Sequence, residues 1–251
     1  TSLGFGTDSY ITGAYATYVG QEVGQFYGWV YEGIARTQDQ LDNHATQQGA
    51  NVGDCLYKDI SGPDGVPDGV IDTYDQTVLG SGLPKVNFGL SAHMEYKNFD
   101  LSISTYGVLN YHVSDDIYNS LNSCYGPGNK DVAMGDANRF ADDGTYISSV
   151  PRTYYANNAT LAWNDLFSSR KIQNAAYWKI ANVELGYNFP DKWFGGYVSG
   201  VRLYVSAQNL YTFTGYKGYN VDYAGGTFTP GYNFCSFPTP RTFMCGLHFT
   251  F

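Results

Sequence analysis

The stretch Phe88–Tyr106, FGLSAHMEYKNFDLSISTY, decides the fold class. Phe88, Leu90, Ala92, Met94 and Tyr96 alternate with Gly89, Ser91, His93 and Glu95. Successive strand side chains point to opposite faces, so this period of two predicts a strand with one apolar and one small or polar face. Lys97-Asn98 then supplies a tight reversal, and Phe99, Leu101, Ile103 and Thr105 alternate with Asp100, Ser102, Ser104 and Tyr106. The same pattern recurs at Ala181–Phe189, at Val201–Ala207 and from Thr242 to the final Phe251, and more weakly near Ala14–Val19 and Phe26–Ile34. About seven antiparallel strands are expected, several near ten residues long, where ordinary strands run about 5–6. A strand tilted across a bilayer needs about 9–11.

Composition points the same way. Of 251 residues, 15% are charged, against roughly a quarter in average proteins. Aromatics make up 17%, with 24 tyrosines. No apolar run reaches the roughly 18 residues of a transmembrane helix. The net charge of -9 argues against nucleic acid, which demands a basic footprint. The four cysteines, Cys55, Cys124, Cys235 and Cys245, match no zinc spacing and are too sparse for a disulfide scaffold. The opening TSLGFG is not a signal peptide, and a mature protein or the tail of a longer one is expected.

The connections alternate between short and long. Short ones fall near Gly20–Val23, at Lys97-Asn98 and at Pro190–Ser199, and long ones over about 35–85, 111–176 and 212–240. In an up-and-down sheet every second connection lies on the same side, so all the long loops are expected on one rim. Outer-membrane barrels have this asymmetry, with short periplasmic turns and long extracellular loops. Tyr96, Phe99, Tyr187, Phe189, Trp193, Phe249 and Phe251 cluster at the short-turn end, as an interfacial aromatic girdle would.

Chemistry-bearing motifs are few. His44, His93, His112 and His248 sit in no nucleophile elbow or zinc motif, so no catalytic residue is assigned and an enzyme is not expected. The long loops are rich in tyrosine and asparagine, and Tyr154, Tyr155 and Trp163 are the ligand-contact candidates, with packing of the loops or of a lid as the competing role. The segment YKDISGPDGVPDGVIDTYDQTVLG, Tyr57–Gly80, holds five aspartates. Counted from Asp64, an EF-hand-like loop would take Asp68 at position 5, Gly69 at 6, Val70 at 7, Asp72 at 9 and Asp75 at 12, but position 3 is Val66, which offers no side-chain oxygen. The competing reading is a rigid run of aspartate-glycine turns.

Four blocks, in order, carry a family resemblance. They are VGQEVGQFYGWVYEGIARTQDQLDN (19–43), YKDISGPDGVPDGVIDTYDQTVLGSGLP (57–84), NFGLSAHMEYKNFDLSISTYGVLNYHVSDDIYN (87–119), and the closing set YWKIANVELGYNFP, VRLYVSAQNLYTFTGYKGYNVDY and PTPRTFMCGLHFTF (177–190, 201–223, 238–251). They cover most of the chain, and Gly126–Arg170 is left unplaced. Together the blocks resemble the C-terminal part of SusC/RagA-type TonB-dependent transporters. The resemblance implies an all-β chain forming a C-terminal segment of the plugged, 22-stranded class of transmembrane barrel, in the outer membrane of a Gram-negative bacterium. It implies import of oligosaccharides or peptides, a SusD-like surface lipoprotein as lid, and coupling to TonB through the rest of the transporter. This sequence has no plug and no TonB box, so a fragment that pairs with missing strands in the lipid bilayer is expected. The family's aspartate block has EF-hand spacing. Here, with residues inserted, Asp59 and Ser61, or Asp64, would complete a calcium site with Asp68, Asp72 and Asp75, ordering a loop. No other cofactor is expected. Two rival readings remain: a soluble secreted β-sandwich that binds glycans around a structural calcium, and a passive porin-like barrel.

Overall fold

A computed structural model describes residues 8–125, 128–153, 163–193, 198, 200–222 and 225–250. The strands in chain order are β1 (Ser9–Thr12), β2 (Tyr15–Tyr18), β3 (Gln25–Gly28), β4 (Tyr31–Ile34), β5 (Cys55–Tyr57), β6 (Thr77–Ser81), β7 (Val86–Tyr96), β8 (Phe99–Leu109) and β9 (His112–Asp115). They continue with β10 (Gln173–Asn174), β11 (Tyr177–Phe189), β12 (Gly200–Thr214), β13 (Tyr232–Asn233) and β14 (Thr242–Thr250). Two short helices, α1 (Gln38–Asp42) and α2 (Asp116–Leu121), interrupt them. The chain divides into two compact units: Thr1–Leu83, His112–Gln173 and Tyr223–Cys235 form one; Pro84–Tyr111, Asn174–Asp222 and Ser236–Phe251 form the other.

The second unit is built on one five-stranded antiparallel sheet, in the order β14-β12-β11-β8-β7. Its strands are the long ones, from 9 to 15 residues, within reach of a bilayer's thickness. The β7–β8 hairpin closes where expected: Lys97 takes the left-handed conformation at φ 55°, and Tyr96 pairs with Phe99. Registers align the apolar alternations into rows. Met94, Leu101, Leu185, Val205 and Cys245 form one, and Ala92, Ile103, Val183, Ala207 and Phe243 the next. Tyr96, Phe99, Tyr187, Leu203 and Leu247 form a third.

In a soluble sandwich this face would be covered by a second sheet. Here Leu90 is 65% exposed, Met94 52%, Leu185 48% and Leu247 58%. Every residue of β7 is exposed, as is every residue of β14 except Gly246. A contiguous apolar face of this extent marks a surface that meets something other than water.

Two features depart from the sequence expectation. The segment Phe26–Ile34 is two strands, not one. Its middle residue Trp29 leaves the β1-β2-β3-β6 sheet to bridge Ser168, accepting from the Ser169 backbone N–H at 3.0 Å. Gly28 has no side chain, which allows the Phe167 carbonyl to pack against it. The long connections also carry structure of their own. Residues 35–85 contain α1, β5 and β6, the last paired with β3, and β9 pairs in parallel with β13.

The first unit has its own core. Cys55, Tyr57 and Ile71 are buried together beneath Trp29, Tyr31, Trp163 and Leu166. Among the described residues no helix is long and apolar enough to cross a membrane, a result that says nothing about strands.

Candidate functional site

On the polar face of the five-stranded sheet the rows are ionic. Asp100 on β8, Gly186 on β11 and Tyr204 on β12 share one row, and Ser102, Glu184 and Ser206 the next. Arg202 reaches across β11. Its Nε and Nη2 donate to Asp100 at 3.1 and 2.5 Å, and Nη2 also donates to Glu184 at 2.7 Å. Asn188 Nδ2 adds a bond to Asp100 at 3.1 Å. Gly186 makes this crossing feasible, since a Cβ there would lie 2.5 Å from both the guanidinium and the carboxylate. A planar guanidinium holding one carboxylate with two N–H groups is the strong form of the pair.

A second polar cluster lies at the other end of the same face. Lys179, 3% exposed, ion-pairs with Asp222 and lies 5.8 Å from the Tyr106 ring centroid. Tyr106 Oη donates to Asp222 at 3.3 Å. Beside it a cavity of about 320 Å³ is lined by Lys179, Asn209, Thr212, Tyr219, Asn220 and Arg241, among others.

The aspartate segment folds as turns. Asp75 is buried and accepts from the backbone N–H groups of Ile60 (2.7 Å), Ser61 (3.1 Å) and Asp72 (2.9 Å). Asp72 caps Tyr74 at 2.7 Å, Asp68 accepts from Val70 at 3.0 Å, and Asp59 accepts from Gly69 at 2.7 Å. Asp64 is exposed, and the Ser61 hydroxyl lies 3.4 Å from the Gly62 carbonyl. The turns thus engage both oxygens of Asp75 and one oxygen each of Asp59, Asp68 and Asp72. Among the described residues no three acidic, histidine or cysteine side chains converge as a metal site requires. One carboxylate oxygen, Asp59 Oδ1, is buried without a hydrogen-bond partner.

Of the ligand-contact candidates, Tyr154 and Tyr155 lie outside the described residues. Trp163 is half-buried in the first unit. Its Nε1 donates to the Gln48 carbonyl at 2.8 Å, its own carbonyl accepts from the Tyr57 hydroxyl, and its ring lies 6.2 Å from that of Tyr57. It packs the loop.

Nearby, Asp54 is fully buried and held by Arg152 at 3.1 and 2.8 Å and by Asn164 at 2.8 Å. The Asn164 carbonyl oxygen in turn accepts from the Cys55 N–H at 2.6 Å. Sequence reading missed this network, as it missed Lys179–Asp222, because the partners lie 98, 110 and 43 residues apart. Burial pushes the Cys55 thiol up to about 12 and the Cys124 thiol up to about 11, so neither is a nucleophile at neutral pH.

A sheet of bilayer-length strands, apolar on one face and ionic on the other, has the pattern expected of a transmembrane-barrel wall. The comparisons agree. No protein-family model matches the chain. It is 30% identical over 241 residues to TonB-dependent receptor P3 of Formosa agariphila, covering 92% of this chain and 22% of that protein. It is 27% identical over 188 residues to TonB-dependent receptor SusC of Bacteroides thetaiotaomicron, covering 73% and 17% respectively.

Among solved structures, the RagAB peptide importer in its open-open state superposes with a TM-score of 0.71 at 21% identity, over 100% of this chain and 25% of that one. The RagAB peptide transporter gives 0.73 at 20%, over 98% and 25%. The chain is a homologue of SusC-type TonB-dependent receptors, and it spans a quarter or less of the length of these relatives. They are receptors and transporters, and they favour neither a soluble glycan-binding sandwich nor a passive porin.

Proposed function

We propose that this chain supplies part of the wall and long outer loops of a TonB-dependent outer-membrane transporter that imports oligosaccharides or peptides. In this reading the barrel is of the 22-stranded plugged class, and a SusD-like surface lipoprotein covers its mouth. The observation that carries the reading is the single five-stranded sheet, with its uncovered apolar face and the Asp100–Arg202–Glu184 pairing on the reverse. Lipid accepts the first face and a hydrated lumen the second. The exposed strands β7 and β14 are the edges on which further strands would pair, since open edges are not tolerated in lipid.

The reading is tested by deleting the gene, and separately tonB, in the native host and measuring growth on oligosaccharide and peptide fractions. Loss of growth on the same fraction in both strains is expected. Unchanged growth on every fraction would overturn energy-coupled import.

A further inference from the structure

The cavity of about 320 Å³ in the second unit is small for a ligand site, where roughly 300–1,000 Å³ is usual. It lies at the end of β11 and β12 where the long connection to β14 leaves, and its lining residues come from β11, β12, that connection and Arg241. Among the described residues, its only charged lining residues are Lys179 and Arg241. Lys179 is already neutralised by Asp222. Arg241 is exposed and engages in no ion pair or hydrogen bond among the described residues. The cavity therefore carries one uncompensated positive charge, on a side chain whose forked N–H groups match a planar carboxylate.

The rest of the lining suits a polar ligand. The Asn220 carbonyl oxygen is spent on the Asp222 N–H (2.9 Å) and the Thr239 hydroxyl (3.3 Å), which leaves its amide N–H₂ to donate. Asn209 donates to the Pro240 carbonyl at 3.1 Å, which leaves its side-chain oxygen to accept. Tyr219, 67% exposed, presents a ring on the same wall.

We propose that this cavity is a subsite for one carboxylate-bearing unit of the imported molecule, with Arg241 pairing the carboxylate, Asn209 and Asn220 bonding its polar neighbours, and Tyr219 packing against its body. One net positive charge selects a monoanion. The inference rests on the import reading above and narrows its substrate class. The carboxylate belongs either to a peptide or to a uronic-acid sugar, since both present the same group.

The test uses the full-length transporter purified in detergent and titrated calorimetrically with two matched pairs. One is a short peptide and its C-terminal amide, and the other is a uronate-ended oligosaccharide and its neutral counterpart. Wild type is expected to prefer the acid member of one pair by about tenfold or more, as a charge-assisted hydrogen bond implies. Arg241→Gln is expected to abolish that preference while leaving the affinity of the neutral member unchanged, and Arg241→Lys to restore part of it. An unchanged melting temperature of Arg241→Gln excludes misfolding as the cause. Preference retained in Arg241→Gln, or absent from wild type in both pairs, overturns the subsite. Import that stays TonB-dependent in that case leaves the transport reading standing, so the two failures are distinguishable.

Discussion

The guanidinium of Arg202 on β12 bypasses its neighbour strand to hold Asp100 on β8, with N···O distances of 2.5 and 3.1 Å. It ties three strands of one face together, because Glu184 on the intervening β11 shares the same Nη2. Arg202→Met would leave two carboxylates facing each other with no cation. Breaking a buried pair on one side costs about 3–5 kcal/mol, and partial exposure of Arg202 and Glu184 reduces that to about 2 kcal/mol. Urea unfolding of the full-length protein in detergent should show the loss. Arg202→Lys should recover only part of it, because a point charge cannot reproduce the fork.

Asp54 is the corresponding centre of the first unit. Removing its carboxylate in Asp54→Ala strands the Arg152 guanidinium, the Asn164 amide and the Asn51 N–H. A local destabilisation of about 3 kcal/mol is expected. Limited proteolysis of the intact transporter should then cut near Arg152 and Asn164 faster in the variant than in the wild type.

The aspartate segment is expected to depend on its carboxylates more than on any ion. Asp75→Ala removes the acceptor for three backbone N–H groups and should cost about 2–3 kcal/mol. Chelation of wild type should leave the melting temperature unchanged. A fall on chelation that calcium reverses would show a cation site, since a ligand at 100 times its Kd stabilises by about 2.7 kcal/mol.

The thiols give a pH prediction. Burial holds Cys55 and Cys124 in their neutral form, with Cys55 pushed up to about 12 and Cys124 up to about 11 from an ordinary 9.0. The unfolded chain loses these protons first as pH rises, so stability from this source is intact below pH 9.0 and declines from there towards 12. In native transporter in liposomes at pH 8, a water-soluble thiol reagent should modify Cys235 and spare the buried Cys55 and Cys124 and the lipid-facing Cys245. All four cysteines should react after unfolding.

Much of the second unit was legible because its strands alternate without a break. Val86–Tyr96 and Phe99–Leu109 could be read almost to their ends. The start of β11 could not. At Ala181 the register slips, so the even-numbered Trp178 and Ile180 join the face of the odd-numbered Val183 and Leu185. A period-two reading therefore begins the strand at Ala181 and loses Lys179, which the same slip places opposite Tyr106 on the polar face. The first unit was harder for a different reason. Its short strands β4, β5, β9 and β13 are fixed by partners far away in sequence, as Trp29 is by Ser168, and no local pattern records them. Arg241 was visible as a residue, but its lack of an acidic partner among the described residues depends on tertiary placement.

In the proposed transporter, one face of the β8–β11–β12 sheet meets lipid and the other meets water. This arrangement is tested most directly by single nitroxide labels at positions 182–185 and 187 of the full-length transporter in liposomes, with Cys235 and Cys245 replaced by serine. Labels at 183, 185 and 187 should be relaxed by oxygen, which partitions into lipid, and labels at 182 and 184 by a water-soluble nickel chelate. Equal chelate access along the whole series would contradict the claim and return the sheet to a soluble fold.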